Sequence, residues 1–115
     1  MEEVVWKIET FETKNGDKPV NDFVKKFQSQ AQAKIVHTVN LLKEYGNRLG
    51  MPHSKYLGSG LYELRIRGKD ELRIFYCFTG QKTICLLHGI RKQTRQTPIK
   101  ELETASIRMR NLTKI

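Results

Sequence analysis

The 115-residue sequence is poor in cysteine, poor in acid and has no long apolar run. Its two cysteines, Cys77 and Cys85, are too few for a disulfide scaffold or a cysteine-rich metal centre. Both lie in apolar runs, so they read as buried thiols of a reduced compartment, which points to the cytoplasm. No stretch approaches the roughly 20 apolar residues that span a bilayer, so no membrane partner is expected. The start, Met1-Glu2-Glu3-Val4, lacks the basic opening and apolar core of a signal peptide. The three histidines, His37, His53 and His88, are isolated and have no ligand spacing. With carboxylates scarce as well, neither a metal nor another cofactor is expected. Repeats, low-complexity tracts and Gly/Ser/Pro linkers are missing, which leaves one domain over 1–115.

What the chain has is positive charge. Twenty-one Lys and Arg stand against twelve Asp and Glu, a formal +9. The excess is uneven. Residues 1–30 carry five basic and six acidic side chains, a net of −1, while 31–115 carry sixteen and six, a net of +10. Folded structure rather than a tail therefore displays the charge, and its partners are polyanions.

Periodicity supplies the elements. Val4-Val5-Trp6-Lys7-Ile8 reads as a strand, and Lys14-Asn15-Gly16-Asp17 as a turn. After Pro19, the spacing of Val20, Phe23, Val24 and Phe27 predicts a helix. Ile35, Val39, Leu42 and Tyr45 predict a second, stopped by Gly46 or Gly50. Residues 51–60, with Pro52, Gly58 and Gly60, read as a loop. The period then drops to two. Leu61–Arg67, Leu72–Thr79 and Thr83–Ile90 predict a three-stranded meander, turning at Gly68-Lys69-Asp70 and Gly80-Gln81. Thr97 is placed to cap a last helix that begins at Pro98 and carries Leu102, Ala105, Met109 and Leu112 as its stripe. The order is βααβββα, an α+β domain with a small, mainly antiparallel sheet, an N-terminal helical hairpin and a C-terminal helix, the helices lying against one face.

A two-residue turn at Gly80-Gln81 would pair Arg73 with His88, and the Gly68 turn would pair Arg65 with Arg73. The three then form one row on one face. The other face collects Tyr62, Leu64, Ile66, Ile74, Tyr76, Phe78, Cys85 and Leu87 as a core. Two guanidinium groups can grip a phosphodiester bidentately. RNA brings its own nucleophile, the 2′-OH, so metal-free cleavage needs only orientation, charge stabilisation and proton transfer. Plainer readings stand beside this one. Arg65 and Arg67 suit the solvated face of a strand, His88 a hydrogen-bonded structural role, and His37 a structural or solvated one. Arg91, Lys92, Arg95 and Lys100 suit solubilising charge. His53 and Lys55 lie in the loop. Joint placement on one face is what favours chemistry.

Four blocks carry a family resemblance: Leu57–Arg65 (LGSGLYELR), Leu72–Tyr76 (LRIFY), Leu87–Thr94 (LHGIRKQT) and Thr97–Ala105 (TPIKELETA). In this order they resemble the phage-derived branch of the HigB-like toxins, in the RelE/ParE superfamily of toxin–antitoxin systems. The resemblance implies a RelE-like fold and a cytoplasmic messenger-RNA endoribonuclease acting in the ribosomal A site. It further implies a HigA-like helix-turn-helix antitoxin that neutralises the toxin in a heterotetrameric complex. Carried over by position, Arg65, Arg73, His88 and Lys92 take catalytic roles. Arg65 and Arg73 contact the RNA backbone and scissile phosphate, His88 serves as acid or base, and Lys92 balances leaving-group charge. Lys55, Arg67, Arg91 and Arg95 take RNA-binding roles. No tyrosine follows Tyr76, so proton transfer falls to His88 or a lysine. Glu63 reads as the ion-pair partner of a neighbouring arginine. Two alternatives remain open: a non-enzymatic ParE-like toxin that binds DNA gyrase, and a basic RNA-binding module without catalysis.

Overall fold

The computed structural model describes residues 5–113, and these form five strands and three α-helices in the order βααββββα. The elements are β1 (Lys7–Thr10), α1 (Pro19–Lys25), α2 (Ser29–Tyr45), a 3₁₀ turn (Gly46–Arg48), β2 (Ser54–Gly58), β3 (Leu61–Ile66), β4 (Leu72–Gly80), β5 (Thr83–Arg91) and α3 (Ile99–Thr113). The sheet order is β1-β5-β4-β3-β2. Only β1 pairs in parallel, with β5, so the sheet is mainly antiparallel as expected. This α+β architecture is RelE-like in outline. Among the described residues no helix is long and apolar enough to cross a membrane.

Local chemistry explains most boundaries. Pro19 opens α1, where its missing N–H costs nothing, with Asp22 in the first turn and Lys25 in the last. Gly46 stops α2 at φ +55° and leaves room for the Trp6 indole, which a Cβ there would strike. The first strand differs from expectation. Val4 lies outside the described residues, and Val5 and Trp6 precede the strand, because the Trp6 ring turns inward to the hairpin and the Trp6 N–H donates to the Lys43 carbonyl.

The loop expected over 51–60 is in part a strand. The edge strand β2 pairs with β3 through Ser54↔Leu64, Lys55↔Glu63 and Tyr56↔Tyr62. Its exposed Lys55 and Tyr56 hide the alternation that marks a half-buried strand. It is held instead by side chains: the hydroxyls of buried Ser54 and Tyr76 hydrogen-bond each other, and Tyr56 packs on Tyr62 at 4.8 Å. Burial pushes the Tyr76 phenol up to about 12, against a smaller lowering by the Ser54 bond.

Helices cover both faces, which corrects the one-face expectation. One core, toward α1 and α2, joins Trp6, Val20, Ile35 and Leu42 to Leu64, Ile66, Leu72, Ile74, Tyr76, Ile84 and Leu86. The other, toward α3, joins Ala105, Leu102, Met109 and Leu112 to Phe11, Leu61, Phe75, Cys77, Cys85, Leu87 and Ile90. Alternation alone turns Leu61, Phe75 and Cys77 toward α3; which β5 residues join them follows from a β4–β5 register that is not the expected one. The turn lies at Gln81-Lys82, with Lys82 at φ +54°. A bulge then leaves Leu87 unpaired between Tyr76↔Leu86 and Phe75↔His88. Cys85 and Leu87 consequently join the α3 core, while the other six expected core residues do face the hairpin.

Gly89 sets how closely α1 approaches β5, since a Cβ there would run into the Phe23 ring. Gly89→Ala should destabilise the fold by about 1–3 kcal/mol in urea unfolding. Gly50→Ala, with open space around its Cβ, should change little. The two thiols give a pH test. Both are free and buried, and burial raises Cys77 to about 11 and Cys85 to about 12 from an ordinary 9.0. Unfolded thiols ionise first, so above pH 9 the unfolded state binds fewer protons and stability falls as pH rises toward 12. Native protein at pH 8 should leave both thiols unlabelled by a thiol reagent that labels them in denaturant.

Candidate functional site

Beneath the start of α3, two rows of the sheet bring charged side chains out of water. In the first, Arg65 on β3 stands opposite Arg73 on β4, as the turn chemistry predicts. Arg73 continues to Ile90, however, and not to His88. The second row is Lys55, Glu63, Phe75 and His88, across β2 to β5. The displaced turn at Gln81-Lys82 and the Leu87 bulge together cause the change: they shift β5 by two residues from the expected register, so His88 shares the face of Arg73 but lies diagonal to it.

Glu63 is the hub of the first cluster. It is 3% exposed, and Arg73 is 5% exposed. Glu63 Oε1 accepts from Arg65 Nε at 3.1 Å and lies 3.6 Å from Arg73 Nε. At that length the second contact is an ion pair outside hydrogen-bond reach, and Arg73 Nε has no hydrogen-bond partner. Arg73 Nη1 donates to Glu71 Oε2 at 3.2 Å and to the Leu72 carbonyl at 3.1 Å. Buried Glu63, with exposed Glu71 just before β4, thus balances the two arginines. The expected ion-pair role of Glu63 is observed, with both arginines rather than one. Glu63 Oε2 also accepts from the Thr97 hydroxyl at 3.3 Å. Thr97 was expected to cap α3. Its hydroxyl instead reaches this carboxylate, and the Pro98 carbonyl takes the first helical N–H groups, from Glu101 and Leu102.

His88 heads a second cluster. Its ring stacks on Phe75 at 6.1 Å. Nδ1 lies 3.1 Å from Arg108 Nη1, and Nε2 lies 3.0 Å from Glu101 Oε2. A guanidinium only donates, so Nδ1 accepts, and the ring proton sits on Nε2 and points at Glu101. His88 in this arrangement is neutral with both nitrogens engaged. Arg108 also donates to the Leu87 carbonyl at 2.9 Å, tying α3 to the bulge, and its guanidinium lies over Phe11. Burial lowers the Arg108 pKa, partly offset by Glu101. Sequence reasoning missed Glu101 and Arg108 as site residues. The available signal was their spacing: 101, 105, 108 and 112 fall on one helical face, so two charges interrupt the apolar stripe.

The remaining basic residues surround these clusters unevenly. Lys55 is exposed on β2. Lys92 is half-buried just past β5, with its backbone N–H bonded to the Glu71 carbonyl at 2.7 Å. Arg95 is exposed in the connection to α3. Arg91 departs from the expected grouping. Its partner is Leu72, so it faces the hairpin, over Phe27 at 5.2 Å and 3.6 Å from Asp70. Arg67, beyond the end of β3, lines a cleft with α2.

The arrangement can present cations at the rim of a neutralised interior. Glu63→Gln should test that interior: it removes the buried carboxylate between Arg73 and half-buried Arg65, leaving Arg73 only exposed Glu71, and should cost about 3–5 kcal/mol in urea unfolding.

Against this geometry, a family model described as "Phage derived protein Gp49-like (DUF891)" matches residues 22–110. A comparison with curated proteins finds no match.

Proposed function

We propose, from the premise that this chain belongs to the Gp49-like family of phage-derived proteins, a toxin–antitoxin-related family, that it is the toxin of a type II toxin–antitoxin pair and cuts messenger RNA on the ribosome. The observation that carries this reading is the extent of the family match. It takes in α2, the whole β2–β5 meander and most of α3, and with them every residue of both charged clusters. The +9 charge supports a partner that is largely RNA.

In this reading the 2′-oxygen of one nucleotide attacks the adjacent phosphorus. The O2′–P bond forms, the P–O5′ bond breaks, and the proton lost by the 2′-OH is matched by one gained at the 5′-oxygen. Arg65 and Arg73 hold the phosphate oxygens, which requires the phosphate to replace the Glu63 carboxylate as their partner. Lys92, on the rim, balances charge on the leaving oxygen. His88 moves a proton once Glu101 or Arg108 releases one of its ring nitrogens. Lys55, Arg67, Arg91 and Arg95 meet RNA phosphates, Arg91 from the hairpin side. A HigA-like helix-turn-helix antitoxin is the neutralising partner, in a heterotetramer.

One observation favours a second reading. Arg73 is buried and His88 has both nitrogens engaged, as suits a toxin that acts by binding alone, on RNA or on gyrase. The two readings separate on mapping of messenger 5′ ends after induction, with and without translation. Cleavage predicts new ends inside translated codons that vanish when translation is blocked. Gyrase poisoning predicts DNA breaks with messages intact. Among variants, Lys92→Ala is the informative one, because its side chain makes no ion pair with the buried clusters. It should lower cleavage about 10²-fold with an unchanged Tm. Arg73→Ala is ambiguous, since it also strips buried Glu63 of a partner.

A further inference from the structure

On the hairpin side of the fold, a cleft of about 420 Å³ opens between α2, the cis-proline loop and the end of β3. Five basic residues line it: Lys34 and His37 from α2, His53 from the loop, and Arg65 and Arg67 from β3 and its extension, the Arg65 guanidinium being engaged by Glu63 on the α3 face. Its other walls are Ala33, Thr38 and Pro52, so no carboxylate lines it. Among the described residues, Lys34, His37, His53 and Arg67 make no ion pair. The contrast with Arg73, neutralised twice, is direct.

The convergence follows from the fold. Lys34 and His37 are three residues apart and share one face of α2. Gly68 lets the Lys34 chain lie against the β3–β4 turn, since a Cβ at Gly68 would meet the Lys34 ammonium at 2.6 Å. β2 starts only at Ser54, and just beyond it the Arg65 N–H donates to the His53 carbonyl at 2.8 Å, which holds the loop against β3. Cations brought together without counter-charge repel one another, and an anion relieves that repulsion. The Lys34 ammonium, the Arg67 guanidinium fork and the imidazole N–H groups of His37 and His53 offer more donors than a carboxylate can accept. A phosphate, with several acceptor oxygens, matches them. The volume exceeds that of a bare phosphate and falls within the range of small-ligand pockets, roughly 300–1,000 Å³. Ala33 and Pro52 add apolar wall for an attached organic group.

We infer that this cleft is a binding site for a phosphate ester, a nucleotide unit held by its phosphate. In its free-nucleotide form the inference stands on the cleft alone; in its strand form it rests on the proposed action on RNA, which already places Arg67 on a phosphate. The nucleotide unit comes free or as part of an RNA strand, and the test separates the two sources.

Isotope-labelled full-length protein is titrated with inorganic phosphate, with adenosine 5′-monophosphate and with a short single-stranded RNA, while backbone amide shifts are followed. The expected result is saturable shifts concentrated at Lys34, His37, His53 and Arg67. Lys34→Gln/His37→Gln should weaken the affinity at least tenfold, whereas Lys7→Gln, on the opposite edge strand, leaves it unchanged. Saturation by the mononucleotide marks a free-nucleotide site, and a response to RNA alone marks a strand site. Lys34 and His37 are exposed, so the double variant should fold, and Arg67→Gln serves as an independent second variant. Shifts spread evenly over the basic surface, no shifts with any probe, or equal affinity in the variants would overturn the inference.

Discussion

A single unpaired residue, Leu87, sets which side chains of β5 face which layer. Below the bulge, Ile84 and Leu86 feed the hairpin core. Above it, His88 and Ile90 face α3. The bulge carbonyl would otherwise lack a partner at that point, and Arg108 supplies one from α3. That bond places Arg108 against His88, and His88 in turn engages Glu101. Helix position, second core and His88 environment are therefore parts of one arrangement. Loss of the bulge would move them together.

Charge is organised in two regimes. Inside, the buried and half-buried arginines among the described residues are matched: Arg65 and Arg73 by buried Glu63, Arg73 also by exposed Glu71, and Arg108 by Glu101 across a neutral His88. Buried charge requires that matching, because desolvation of an unpaired ion costs several kcal/mol. Outside, matching is sparse. Arg91 meets Asp70, but Arg67 and Lys34 make no ion pair among the described residues. The excess of +9 is thus concentrated on the surface, where it acts at a distance on polyanions. Arg65 belongs to both regimes, bonded to Glu63 on one side and lining the α2 cleft on the other.

Much of the fold was legible in local patterns. The period-3.6 stripes of α1, α2 and α3 and the period-2 runs of β3, β4 and β5 all correspond to observed elements, because each buries a face that its own spacing defines. The strand β2 was not legible. It is short, at an edge, and stabilised by the Ser54–Tyr76 hydroxyl pair and Tyr56–Tyr62 packing rather than by alternation. Of the charged residues, the Arg65–Arg73 pair was readable from the Gly68 turn, and the ion-pair role of Glu63 from its place beside an arginine. The partners of His88 were not, since Glu101 and Arg108 come from a helix whose placement depends on the bulge.

By itself, the sequence determined every element type but that of β2, the excess of basic charge and the Gp49-like family, since each depends on residues read in order along the chain. Tertiary structure alone decided the register of β5, the use of both sheet faces, the burial of Arg73 and the gathering of Lys34, His37, His53 and Arg67 into one cleft. The reason is physical: a bulge costs one residue of register and leaves the local pattern almost unchanged, yet it changes every neighbour across the strand.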